Sequence, residues 1–262
     1  MVRTRGSRTT ATSAGGAAAR TSASAPASPA APVPQCDWER TAFTTRDEGK
    51  LRRAGVVPDV DGNIIIPGNE SRPSPPAGYA VMFMAFLFRG LSLPAHEFLR
   101  GILFTYGVQI WQLAPNSILQ LAIFITLCEG FLGIEPHFGL WKKIFWLKRH
   151  SNAADPYVLG GVGFSVRQDV KYFKFPLKES VQDWRSKWFY IKDEATDDHP
   201  VNFPPFEDVM IAKPKKTWAN TIPAEEEEVV EALYQRVQKI RLVRNPTSIA
   251  TEIVAHFLKR RI

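Results

Sequence analysis

Between Gly78 and Trp141 the chain reads GYAVMFMAFLFRGLSLPAHEFLRGILFTYGVQIWQLAPNSILQLAIFITLCEGFLGIEPHFGLW, and as far as Ile134 its charges cancel, Arg89 and Arg100 against Glu97 and Glu129. So much apolar surface is not stable in water and must form the centre of a core or enter a membrane. Its prolines and glycines punctuate it like a helical domain. Tyr79 to Phe88 is continuously apolar, with Met, Ala and Leu outnumbering β-branched residues, and is read as a helix. Pro94 fits the first turn of a second helix through Glu97, Leu99, Ile102, Leu103 and Tyr106, closed by Gly107. Asn116 or Ser117 caps a third, from Ile118 to about Leu132, apolar on nearly every face. His137 to Arg149 reads as a fourth, with Trp141, Ile144 and Phe145 on one face and Lys148-Arg149 at the end that the dipole favours.

An all-round apolar helix is either central to a core or in a bilayer. Ser117 to Ile134 is close to the lower limit of roughly 17–25 residues for a span. It contains Gln120, Thr126 and Glu129, and a carboxylate near the bilayer centre costs about 2.5–3.5 kcal/mol on insertion scales. The run is therefore read as buried core, and no membrane partner is expected.

The flanks have different compositions. Residues 1–36 are almost entirely Ala, Ser, Thr, Gly, Pro and Arg, too polar to offset the entropy of ordering, and are read as a disordered tail. Residues 37–77 form a small unit. Thr45-x-x-Glu48 is a capping box opening a short helix, Asp61-Gly62 a turn, Ile64-Ile65-Ile66 an extended segment, and Pro67 to Gly78 a proline-rich linker. After Arg149 the period changes. Tyr157 to Arg167, Tyr172 to Phe175 and Trp188 to Ile191 are aromatic or β-branched segments between Gly and Pro signals, and are read as a small antiparallel sheet. Residues 193–262 hold an acidic linker, an amphipathic helix from Glu225 to Val243 and a last helix from Ser248 to Lys259, where an abrupt end suggests truncation. The expected fold class is α+β, mainly α-helical: a helical core domain over 78–192 that includes the small β unit, followed by C-terminal helices.

Charge is unevenly spread over the 262 residues, whose formal net charge is +7. The tail carries Arg3, Arg5, Arg8 and Arg20 with no acid, whereas His137 to Lys192 carries eleven Lys or Arg against Asp155, Asp169, Glu179 and Asp183. Lys142, Lys143, Lys148, Arg149, Arg167, Lys171, Lys174, Lys178, Arg185 and Lys187, interleaved with Tyr172, Phe173, Trp184, Trp188 and Tyr190, have the composition of a surface that neutralises phosphates and stacks bases. Nucleic acid is the partner this implies, with a second copy of the chain as the partner for the C-terminal helices.

No catalytic arrangement is visible in the residues. Cys36 and Cys128 lie in unlike contexts, and the five histidines (His96, His137, His150, His199 and His256) are scattered singly, so neither a disulfide nor a metal site is expected. Gly160-Gly161-Val162-Gly163 lacks the lysine and hydroxyl of a phosphate loop and is read as a turn or bulge. Asp197-Asp198 is read as a solvated loop, and no nucleophile elbow or zinc knuckle is present. The protein is read as a non-enzyme without cofactor or small-molecule substrate, a cryptic metal-dependent nuclease or transposase-like enzyme being the alternative. The expected location is nuclear or cytoplasmic, or chloroplast or mitochondrion if residues 1–34 act as a transit segment.

Three segments carry a family resemblance: GLSLPAHEFLRGILFTYG (90–107), the LxPNSIxxLAxFIxLCEGFLGIEPHFxLW pattern (113–141) and WRSKWFYIK (184–192). They resemble the gypsy-type transposon domain of plant proteins, also labelled a transposase. The resemblance covers about residues 40–262. It implies a retroelement lineage and a gag-like role in binding or assembly, and no catalytic residue is carried over with it.

Overall fold

In a computed structural model of the chain, the residues described are 37–150, 159–173, 183–198, 200–210, 214–219 and 221–243. The tail, Cys36, Lys174, Lys178 and the expected last helix lie outside them. In chain order the elements are α1 (Thr45–Arg53), β1 (Ile64–Ile65), β2 (Tyr79–Phe83), α2 (Met84–Phe88), α3 (Glu97–Tyr106), α4 (Pro115–Thr126), α5 (Phe138–Ile144), β3 (Phe145–Arg149), β4 (Val162–Val166), β5 (Trp188–Lys192) and α6 (Glu227–Val243).

The mainly helical expectation is overturned: the fold is mixed α+β, with strands inside the apolar run itself. Tyr79 to Phe88 is not one helix. Its first half is β2, paired antiparallel with β5 from Tyr79↔Lys192 to Phe83↔Trp188, and only Met84–Phe88 turns helical. His137 to Arg149 divides likewise, into α5 and then β3, which pairs with β4 from Phe145↔Val166 to Arg149↔Val162. Nor do the later strands form one unit. β5 lies between β1 and β2 in a three-stranded sheet, β4 pairs with β3 in a separate two-stranded sheet, and Tyr172–Phe173 has no regular structure. Strand preference depends on the packed surface a segment meets, and these partners are far away in sequence.

Local chemistry shows more directly at the helix ends. α1 begins with the capping box one residue earlier than its motif suggested, Thr44 and Asp47 exchanging bonds between side chain and backbone. α3 starts at His96, whose Nδ1 accepts from Phe98 N (3.0 Å), and Pro94 lies ahead of the helix instead of in its first turn. α4 has Pro115 in its first turn and continues as a π-helical turn, Leu127–Leu132, closed at Gly133. Ser117 lies inside α4, where its Oγ accepts from Phe164 N (3.1 Å) and ties the helix to β4.

One hydrophobic core extends from Trp38 to Val237. Trp38 packs on Phe83, Trp111, Trp188 and Phe206 at centroid distances of 5.4–5.9 Å. Trp141, on α5, meets Phe124, Phe145 and Phe164 at 4.2–5.1 Å, joining α4 to the β3–β4 sheet. The segment Pro115–Leu132 has 18 residues and is long and apolar enough to cross a bilayer; 56% of it is buried within the protein, its Ile118, Leu121, Phe124 and Leu127 among the core residues. α6 lays Val230 and Val237 against the body of the protein. It approaches α5 so closely that a Cβ on Gly139 would fall 2.5 Å from Val230 Cγ2, which is why that position is glycine.

Candidate nucleic-acid interface

Among the described residues, several basic side chains of the segment are bonded to different parts of the protein. Lys187, ahead of β5, donates to Asp47 Oδ2 (2.8 Å) and to the Ala42 carbonyl (2.6 Å), joining α1 to the three-stranded sheet. Arg185 donates to the Leu159 carbonyl (3.2 Å). Arg167 donates to the Lys142 carbonyl (3.3 Å), while Lys142 reaches Thr221 O (3.2 Å) and lies 4.8 Å from the Phe138 ring. Lys143 pairs with Glu231 of α6 (3.0 Å). Arg149 ends β3, half-buried, and Lys171 is exposed, its backbone bonded to Tyr234 Oη (3.0 Å). Lys174 and Lys178 lie outside the described residues.

The interleaved aromatics point inward. Phe173, Trp184, Trp188 and Tyr190 are buried, and Tyr172 packs edge-on against Phe145. Their rings belong to the core, so they offer no stacking face to a base. Trp188 Nε1 donates to the Glu39 carbonyl (2.8 Å). Tyr190 Oη accepts from Ser74 N (2.8 Å) and bonds Glu70, and burial together with that carboxylate raises its pKa.

Among the described residues of the basic segment, the aromatic that faces solvent is one the helical reading conceals. In β3, Phe145 and Leu147 are buried while Trp146 is 40% exposed, the period-2 alternation of a strand covered on one face. Lys148 shares the outer face, its Nζ 5.6 Å from the Trp146 ring centroid. Opposite them on β4 stand Ser165 and Gly163. A Cβ on Gly163 would fall 2.0 Å from His150 Nε2, so the glycine admits the imidazole; one on Gly160 would strike the Trp184 ring at 2.6 Å. The glycine cluster thus serves close packing around β4. Partial desolvation of the exposed His150 ring, with the Lys148 charge adding to the effect, lowers its pKa and favours neutral imidazole beside the basic strand.

Elsewhere, His96 Nε2 and Glu129 Oε1 are 2.8 Å apart, linking the start of α3 to the π-helical turn. Cys128 is buried, and burial pushes its thiol pKa up to about 12, so the inert thiol is the stable form. Among the described residues no group of three His, Cys, Asp or Glu side chains is placed to hold a metal ion.

These features define a mixed α+β domain with an outward aromatic and basic strand face. Residues 81–149, about a quarter of the chain, running from within β2 to the end of β3, match the family described as putative gypsy type transposon. No curated protein and no solved structure matches the chain.

Proposed function

We propose that this protein is a non-catalytic, gag-like product of gypsy-type retroelement descent that binds single-stranded nucleic acid through the outer face of β3 and β4. The observation that carries the reading is Trp146, a large ring turned to solvent on a strand whose next outward side chain is Lys148. A flat ring beside a cation matches an unpaired nucleotide, the base stacking and the ammonium meeting its phosphate. Duplex bases are already stacked and would not reach the ring. At 5.6 Å the Lys148 contact is near the outer limit of about 6 Å for a cation–π pair, so a base displaces it at small cost.

Fluorescence anisotropy of the full chain with labelled single-stranded RNA, single-stranded DNA and duplex DNA, titrated with salt, tests this. Single strands should bind more tightly than duplex, with affinity falling as salt rises. Trp146→Ala should cost about 1–3 kcal/mol of binding. Lys148→Ala should flatten the salt slope by about 0.7, the contribution of one phosphate contact on a single strand. Salt-independent binding, or single-strand affinity unchanged by Trp146→Ala, would sink the reading.

A further inference from the structure

Phe104, on α3, is 90% exposed, the most exposed large apolar side chain among the described residues. It borders a groove of about 420 Å³, whose apolar lining includes Leu103, Val108, Val201, Phe203 and Pro204. The far wall is held in place. Asp193 Oδ1 accepts from the backbone and side-chain nitrogens of Asn202 (both 2.7 Å), and its Oδ2 accepts from Phe203 N (3.0 Å). Gln109 donates to the Pro205 carbonyl (3.2 Å) and accepts from Glu207 N (3.2 Å). These bonds hold the backbone of the wall in place, and most of the surface facing the opening is apolar carbon.

We propose that this groove is a contact between two copies of the chain, each placing its Phe104 in the groove of the other. Projecting ring and receiving groove lie on the same face, as a two-fold, isologous contact requires. The charges around the groove are of both signs: Arg100, 3.7 Å from Glu97 of its own helix, and Glu207 both line it, so a two-fold contact can set one against the other. A site for nucleic acid or for a strongly acidic partner would carry a single sign. The apolar centre is smaller than a standard interface of about 20–30 residues a side, so the dimer is weak and forms at high concentration. The contact is independent of the β3–β4 face and of the apolar stripe of α6.

Sedimentation velocity of the full chain, from micromolar to millimolar concentration at low and moderate salt, tests this. A monomer–dimer equilibrium is expected over this concentration range, present at low and at moderate salt because its centre is apolar. Phe104→Gln should weaken the dimer at least about tenfold; the side chain is exposed, so the melting curve should hardly move. Arg100→Glu should weaken it too, and adding Glu207→Arg should restore it. A monomer at every concentration overturns the proposal. So does a dimer indifferent to Phe104→Gln, or one that Leu242→Glu on α6 disrupts instead. Failure of the double exchange to restore the dimer overturns the two-fold pairing.

Discussion

In the three-stranded sheet Trp188 and Tyr190 of β5 are turned fully inward and the preceding Lys187 is bonded to Asp47, whereas in the two-stranded sheet Trp146 and Lys148 of β3 face outward. Both strands contain aromatic rings and lysine. The difference lies in their surroundings. β5 is central, between β1 and β2, and its first four residues are all buried, so both of its faces are covered. β3 alternates, because only the face bearing Phe145 and Leu147 meets the core. A ring between two covered faces stabilises the fold; a ring on an uncovered face is available to a ligand.

The contrast can be broken most forcefully at Trp188. Trp188→Ala removes a fully buried ring, and urea unfolding should show a loss of about 3–5 kcal/mol. Asp47→Asn comes next. Burial alone would raise the Asp47 pKa, but hydrogen bonds from Lys187, Lys50 and Thr44 outweigh it and hold the carboxyl well below its ordinary value of 3.8. Because the folded value is the lower one, the stabilisation is fully present above the unfolded pKa, about 3.9, and is lost as pH falls toward the folded value. Asp47→Asn should therefore cost about 1.5–3 kcal/mol at neutral pH. The gap between the two proteins should narrow in unfolding curves taken below about pH 4. The smallest effect is expected at Trp146, where Ala should cost roughly 0.5–1 kcal/mol of stability, much less than at Trp188. If the two tryptophans proved equally costly, the distinction between a ring that builds the core and a ring available to a ligand would collapse.

Much of the helical framework was legible in the residues. The start of α1 to within a residue, the turn at Asp61-Gly62, the end of α3 at Gly107, the body of the long apolar helix from Ile118 and the amphipathic α6 each rest on signals within a few residues. β2 and β3 were not legible. Tyr79 to Phe83 carries no alternation, since it pairs with β5 under a shared core, and that partner lies more than a hundred residues on. Phe145 to Arg149 continues the helical spacing of Trp141 and Ile144, so the residues alone assign Trp146 to a helix. The available signal was the match of FWLKR with the later VGFSV, two short aromatic or β-branched segments able to pair with their apolar residues on one face. Basic residues were recognised as a class, but their destinations were not: Lys143, Arg167 and Lys187 reach partners on α6, at Lys142 O and on α1.

By itself the sequence determined that this chain buries a long apolar run, that helices lie near α1, α3, α4 and α6, and that residues 81–149 resemble a gypsy-type transposon family. Those properties depend on side chains within a few residues of one another or on the order of residues alone. Only the tertiary structure decided that the run contains strands, that most of its aromatics close a core, and that Trp146 and Phe104 stand outside it. A residue's exposure is set by what packs over it, and in this fold the covering elements come from distant parts of the chain.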